Sequence, residues 1–198
     1  GGTNSNGILV YSYGFMQGIN EAAKEFDNVK YDYYAKYDAG FTDTALGNTT
    51  AGTFFNNGAN IVFADCGSVG DGITARAKED GKLAIQVDAN LDTQQPGFVM
   101  TSVLKTTGVP VDTITRAFVE GKLNSMDRVQ SYDLSSGATG ITDLATISGY
   151  VADKELWNEI VEKVKAIETK IKNDEIDVVN AQAGEKLEAS AVPNVNIQ

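Results

Sequence analysis

Two apolar runs of strand length, NIVFADC at residues 60–66 and LAIQVD at residues 83–88, stand one helix apart, and that spacing constrains the fold more than any other feature. A strand with no polar face has to be covered on both sides, as in a parallel sheet, and consecutive parallel strands need a crossover, usually helical. The intervening GSVGDGITARAKEDGK supplies one, with ITARAKEDGK read as the helix and Gly81 as its stop. The unit repeats upstream. Phe15, Ile19, Ala22, Ala23 and Phe26 fall at helical spacing within residues 11–26, and VKYDYYA at 29–35 alternates as a strand. Thr42 or Asp43 then caps a helix carrying Leu46, Thr49, Thr53 and Phe54 before an NNG stop. Three strand-then-helix alternations joined by short loops predict a doubly wound α/β domain with right-handed crossovers.

Beyond Lys105 the pattern changes. VPVDTITRAFVEGKL predicts a helix with Val111, Ile114, Phe118 and Val119 inward, DRVQSYDL a short strand, and SSGATGITDL a loop. DKELWNEIVEKVKAIETKI sets Leu156, Trp157, Ile160, Val161, Val164, Ile167 and Ile171 on one stripe, the clearest amphipathic helix in the chain. The residues after NDEIDV are polar and are expected to be loosely held.

Composition excludes several functions. Sixteen basic against 27 acidic residues give a formal charge of -11 with no Lys or Arg cluster, so neither nucleic acid nor an anionic membrane surface is an expected partner. Histidine is absent, which removes the side chain most used for proton transfer near neutral pH and excludes a Ser-His-Asp or Cys-His enzyme. Cys66 is the single cysteine, so no intrachain disulfide and no CxxC motif exists. Neither cofactor nor metal is expected. The longest apolar runs fall well short of the roughly 20 residues that span a bilayer. The opening GGTNSNG has no secretion-signal pattern, so any export address is expected to lie outside the sequence.

In an open α/β sheet, ligands bind beyond the carboxyl ends of the strands. Three such ends stand out: GFTD, with Phe41 on a loop and Asp43 behind it; CGSVGDG, where Gly67, Gly70 and Gly72 allow close approach; and LAIQVD, ending on Asp88. A fourth strand, within GFVMTSVLK, ends on Lys105. Individually these have ordinary structural explanations, and GSVGDG lacks the lysine of a phosphate-binding loop. Together, an aromatic, close-approach glycines, a carboxylate and an ammonium suit a flat ring bearing hydroxyls, because the ring stacks and the carboxylate accepts from a diol.

In order, YGFMQGINEAAKEF, YDAGFTD, NIVFADCGSVGDGITARAKEDGK, LAIQVDAN, GFVMTSVLK and NDEIDV resemble the carboxyl-terminal portion of the basic membrane protein family, the PnrA-like lipoproteins, over residues 1 to about 178. The resemblance implies a non-enzymatic substrate-binding component of an ABC transporter, specific for a purine nucleoside or a similar small polar ligand and read by a membrane permease. It implies a type I periplasmic-binding-protein-like lobe, mostly parallel sheet with helices on both faces, with the first lobe missing. Residues 1–104 would form the second lobe, 105–132 a hinge crossing and a helix belonging to the first lobe, and 133–198 the return crossing, carboxyl-terminal helix and polar tail. Phe41 matches the aromatic that stacks on the base, Asp88 the carboxylate on the ribose hydroxyls, Lys105 the hinge lysine and Gly67 a backbone contact. Ser68 and Asp43 complete the expected ligand-binding set, and the set is expected to meet around one hollow.

The implied location is extracytoplasmic, periplasmic or cell-surface, with a lipid anchor in the full-length protein. Gly67-Ser68-Val69-Gly70 stands where the family often has a GGTG-type loop, and Val10 and Tyr11 replace a more usual basic-aromatic pair. Two other functional classes fit the composition: a nucleoside hydrolase working through Asp43, Asp65 or Asp88, and a ligand-sensing module of a regulator. A lobe-swapped homodimer is the expected alternative cover for the apolar face of Val111, Ile114 and Phe118.

Overall fold

The structure, a computed structural model, describes residues 1–198. The elements in chain order are α1 (Asn6–Ala23), β1 (Tyr31–Tyr33), α2 (Thr44–Asn56), β2 (Ile61–Phe63), α3 (Val69–Glu79), β3 (Leu83–Asp88), β4 (Val99–Lys105), α4 (Gly108–Val119), β5 (Thr139–Ile141), α5 (Ala145–Ser148), α6 (Lys154–Lys172) and β6 (Val195–Ile197). They fall into two compact units, residues 1–85 with 177–198, and residues 86–176.

In the first unit β2 pairs in parallel with the first half of β3, in the register Ile61 to Leu83, Val62 to Ala84 and Phe63 to Ile85. The core against this pair is built from small residues, Ala39, Ala51, Ala64, Ala77 and Ala84, with Phe55, Val62, Val69 and Ile73 filling between them. Small residues let helix backbones come close. Here α2 and α3 touch main chain to main chain. A methyl on Gly47 would lie 2.1 Å from the Val69 carbonyl oxygen, and one on Gly72 would lie 1.8 Å from that of Thr44. This contact explains why α3 starts at Val69 rather than at the expected Ile73: the glycines weaken helix propensity, but tertiary packing requires them.

The tail departs from expectation. Its last residues form β6, which pairs in parallel with β1 through Tyr31–Val195, Asp32–Asn196 and Tyr33–Ile197. Val192 and Val195 are buried with Met16. The side-chain amide of Asn20 on α1 accepts from the Asn194 N–H at 3.1 Å. Gln17, one turn earlier, accepts from Val179 N–H and donates to the Asp177 carbonyl. The tail is therefore fixed by polar groups on a helix read for its apolar positions.

In the second unit the last three residues of β3 continue the strand, and the order runs β3, β4, β5. β4 and β5 are antiparallel, with Val103 opposite Ile141 and Lys105 opposite Thr139. The short strand expected in DRVQSYDL does not form; Val129 there is 81% exposed and has no strand beside it. The sheet takes TGI instead, from the segment expected to be a loop, after a turn at Gly137, whose φ is +73°.

The expectation that α4 turns Val111, Ile114, Phe118 and Val119 inward is also corrected. No residue of α4 is buried, and all four side chains are exposed. The amphipathic stripe is real, but nothing in this chain covers it. α6 keeps its predicted stripe with a single buried anchor, Trp157, and Asp153 caps it by accepting from Leu156 N–H at 2.9 Å. Leu156 and Ile160, at the edge of the stripe, remain exposed.

Candidate functional site

The first unit brings together four of the predicted residues. Gly40, at φ +66°, turns the chain into Phe41, and Asp43 accepts from Leu46 N–H at 2.9 Å as the N-cap of α2. The Phe41 carbonyl accepts from Ser68 N–H at 2.9 Å, tying this loop to the one that opens α3. Gly67, between β2 and α3, has φ +55°, and a side chain there would sit 3.0 Å from the Phe41 carbonyl oxygen. Phe41 itself is 46% exposed. An aromatic on a backbone clamped at its base is suited to stacking, because little rotational freedom is lost on contact.

The second unit holds the other two. Asp88 closes β3 and Lys105 closes β4, and the carboxylate Oδ1 pairs with the ammonium Nζ. Both side chains are about half exposed. Asp88 lies in the left-handed backbone region, φ +74°, which non-glycine residues occupy only at a cost. An exposed ion pair contributes at most about 1 kcal/mol. Aspartate tolerates the left-handed region better than most residues, and Asp27 and Asp174 share it.

Residues missed in the sequence hold the loop that follows Asp88. Ser102, fully buried in β4, donates to Asp92 Oδ1 at 2.6 Å and accepts from Leu91 N–H at 3.0 Å. Gln86, buried in β3, donates to Gln94 Oε1 at 3.0 Å. Thr101 and Thr142 share a buried hydroxyl contact of 2.8 Å. The signal was present as polar residues in the middle of apolar strands, which need buried partners.

The first unit also contains a cavity of about 80 Å³ bounded in part by Ser12, Phe15, Tyr33, Phe63 and Cys66. Small-molecule sites are typically about 300–1,000 Å³, so this one is too small for a nucleoside-sized ligand. Burial pushes the Cys66 thiol up to about 11, with the nearby Asp65 carboxylate adding to the effect. Burial likewise raises the Tyr33 phenol. A thiol held protonated is neither nucleophile nor ligand at neutral pH. No group of three His, Cys, Asp or Glu side chains converges to hold a metal ion. No helix is long and apolar enough to cross a membrane.

The family model described as "ABC transporter substrate-binding protein PnrA-like" matches residues 1–182. Among curated relatives, basic membrane protein A of Borreliella afzelii is 24% identical over 189 residues, covering 94% of this chain and 54% of the relative. The ABC transporter nucleoside-binding protein BmpA of Lactococcus lactis subsp. cremoris is 26% identical over 158 residues, covering 71% and 43%. The chain thus spans about half the length of the curated relatives it matches. Among solved structures, an ABC transporter solute-binding protein from Aeropyrum pernix superposes with a TM-score of 0.62 at 22% identity, over 85% of this chain and 53% of that one. A transcriptional activator of the comK gene from Bacillus halodurans superposes with a TM-score of 0.61 at 14% identity, over 81% and 62%. At these identities the likeness is one of fold.

Proposed function

Because the chain belongs to the PnrA-like family of ABC transporter substrate-binding proteins, we propose that it is part of a non-catalytic receptor that binds a purine nucleoside or a similar small polar ligand and delivers it to a membrane permease. The observation that carries this reading is the family match across residues 1–182. The roles are those that the family resemblance implies for each residue. Phe41 stacks on the base, Asp88 accepts hydrogen bonds from the sugar hydroxyls, and Lys105 steadies that carboxylate and donates to the ligand. Gly67 and Ser68 offer backbone close to Phe41, while Asp43, already engaged as a helix cap, holds the Phe41 loop at the start of α2.

The receptor works by closure: ligand contacts that exist only in the closed state shift the population toward it, and the permease reads that state. Residues 105–132, with the exposed face of Val111, Ile114 and Phe118, pack against polypeptide corresponding to the half of the relatives that this chain does not span. A second copy supplying that cover by lobe swapping is the alternative. The full-length protein is extracytoplasmic and lipid-anchored.

Isothermal titration of inosine and guanosine tests the reading. Full-length protein binds at least one of them, and the 198-residue chain binds it at least tenfold more weakly, because it supplies only part of the contacts. Failure of the full-length protein to bind any nucleoside removes the ligand assignment. The likeness to the comK activator favours a second reading, a ligand-sensing module of a regulator. An output domain in the same reading frame would select it.

A further inference from the structure

The ring of Phe41 rests on a bare stretch of main chain. Gly2 is buried, its N–H donates to the Asp65 carbonyl at 2.9 Å, and its own carbonyl accepts from Gly40 N–H at 2.9 Å. Gly2 is therefore pinned between the end of β2 and the residue immediately before Phe41. A methyl on its Cα would lie 2.2 Å from Phe41 Cε1, 2.4 Å from Cζ and 2.7 Å from Cδ1. Those distances lie well inside van der Waals contact, about 3.5–4.0 Å between carbons. Gly67 approaches the same residue from its own loop, where a Cβ would stand 3.7 Å from Cδ1.

The phenylalanine backbone has little room to yield. Its carbonyl is held by Ser68 N–H, and the loops at 41–43 and 67–68 lead into α2 and α3, whose first turns interlock through Gly47 and Gly72. Any group added at Gly2 is thus accommodated by rotating the ring, the flexible partner in the contact, rather than by moving the loop.

We propose that Gly2 is a positioning residue for Phe41: its missing side chain is the seat on which the ring lies, and this fixes the orientation in which the exposed part of the ring meets a flat ligand. The proposal rests on the stacking role given to Phe41 above, yet its structural half is testable without ligand.

With 4-fluorophenylalanine at position 41, Gly2→Ala shifts the fluorine resonance and increases its solvent sensitivity. In the unsubstituted chain the Gly2 Hα resonances carry a ring-current shift that disappears in Phe41→Leu, and this comparison serves even where Gly2→Ala does not fold. In the full-length protein Gly2→Ala weakens inosine binding by roughly tenfold, within the range of base–aromatic stacking. In a Phe41→Leu background the same substitution changes the affinity less than about twofold. An unmoved fluorine signal, an absent ring-current shift, or equal losses in both backgrounds overturns the proposal. A protein that binds no nucleoside while the ring still moves with Gly2→Ala refutes the ligand assignment and leaves the seat intact.

Discussion

Asp88 contributes little to stability, which makes it a position where a functional role can be tested without unfolding the chain. Its backbone is left-handed, its side chain is half exposed, and its one ion partner is Lys105. Asparagine tolerates the same backbone region, so Asp88→Asn removes the charge without adding strain. It changes the unfolding free energy of the 198-residue chain by less than about 1 kcal/mol, measured by urea denaturation, because an exposed pair contributes little. Cys66 behaves oppositely, as a purely structural residue. Its native thiol titrates near 11 against an ordinary 9.0, so the folded state retains a proton that the unfolded chain releases. That contribution is complete below pH 9 and is lost as pH rises through 11, so the stability gap between the natural chain and Cys66→Ala narrows over that window. At pH 8 native Cys66 reacts with iodoacetamide on the order of a hundredfold more slowly than in urea, as the smaller thiolate fraction requires.

At the scale of elements, α2 and α4 make contrasting predictions. Asp43 caps α2 and holds the Phe41 loop, so Asp43→Ala destabilises the chain by about 1 kcal/mol. Ile114→Ser with Phe118→Ser leaves the thermal midpoint of the 198-residue chain unchanged, because both side chains are already exposed, but lowers that of the full-length protein. Elements whose signal is local were legible in the sequence. β3 has the predicted ends, α2 its predicted cap, and α6 its stripe. Elements whose signal is a distant partner were not. β5 forms because β4 offers an edge beside TGI, and β6 because β1 lies open to it. Neither TGI nor VNI carries enough periodicity to announce a strand. The inward reading of α4 failed for a related reason, since a stripe shows which face wants cover and not whether this chain supplies it.

At the scale of the whole molecule, the chain spans about half of the relatives it matches, while its family model runs through residues 1–182. The sequence, through its family resemblance, proposes Phe41, Asp43, Gly67, Ser68, Asp88 and Lys105, and the structure places the first four together in one unit and the last two together in the other. The buried support for the loop after Asp88, the Asp92–Ser102 and Gln86–Gln94 contacts, was signalled only by polar residues within apolar strands, and the partner of each is visible only once the strands align. Nucleoside binding, to which Phe41 and Asp88 are each proposed to contribute, is the claim on which the proposed function rests. Its most direct test is titration of inosine into the full-length protein and into its Phe41→Ala and Asp88→Asn variants. The prediction is that each substitution weakens binding by roughly tenfold or more; an inosine-binding protein in which either variant keeps its full affinity would contradict it.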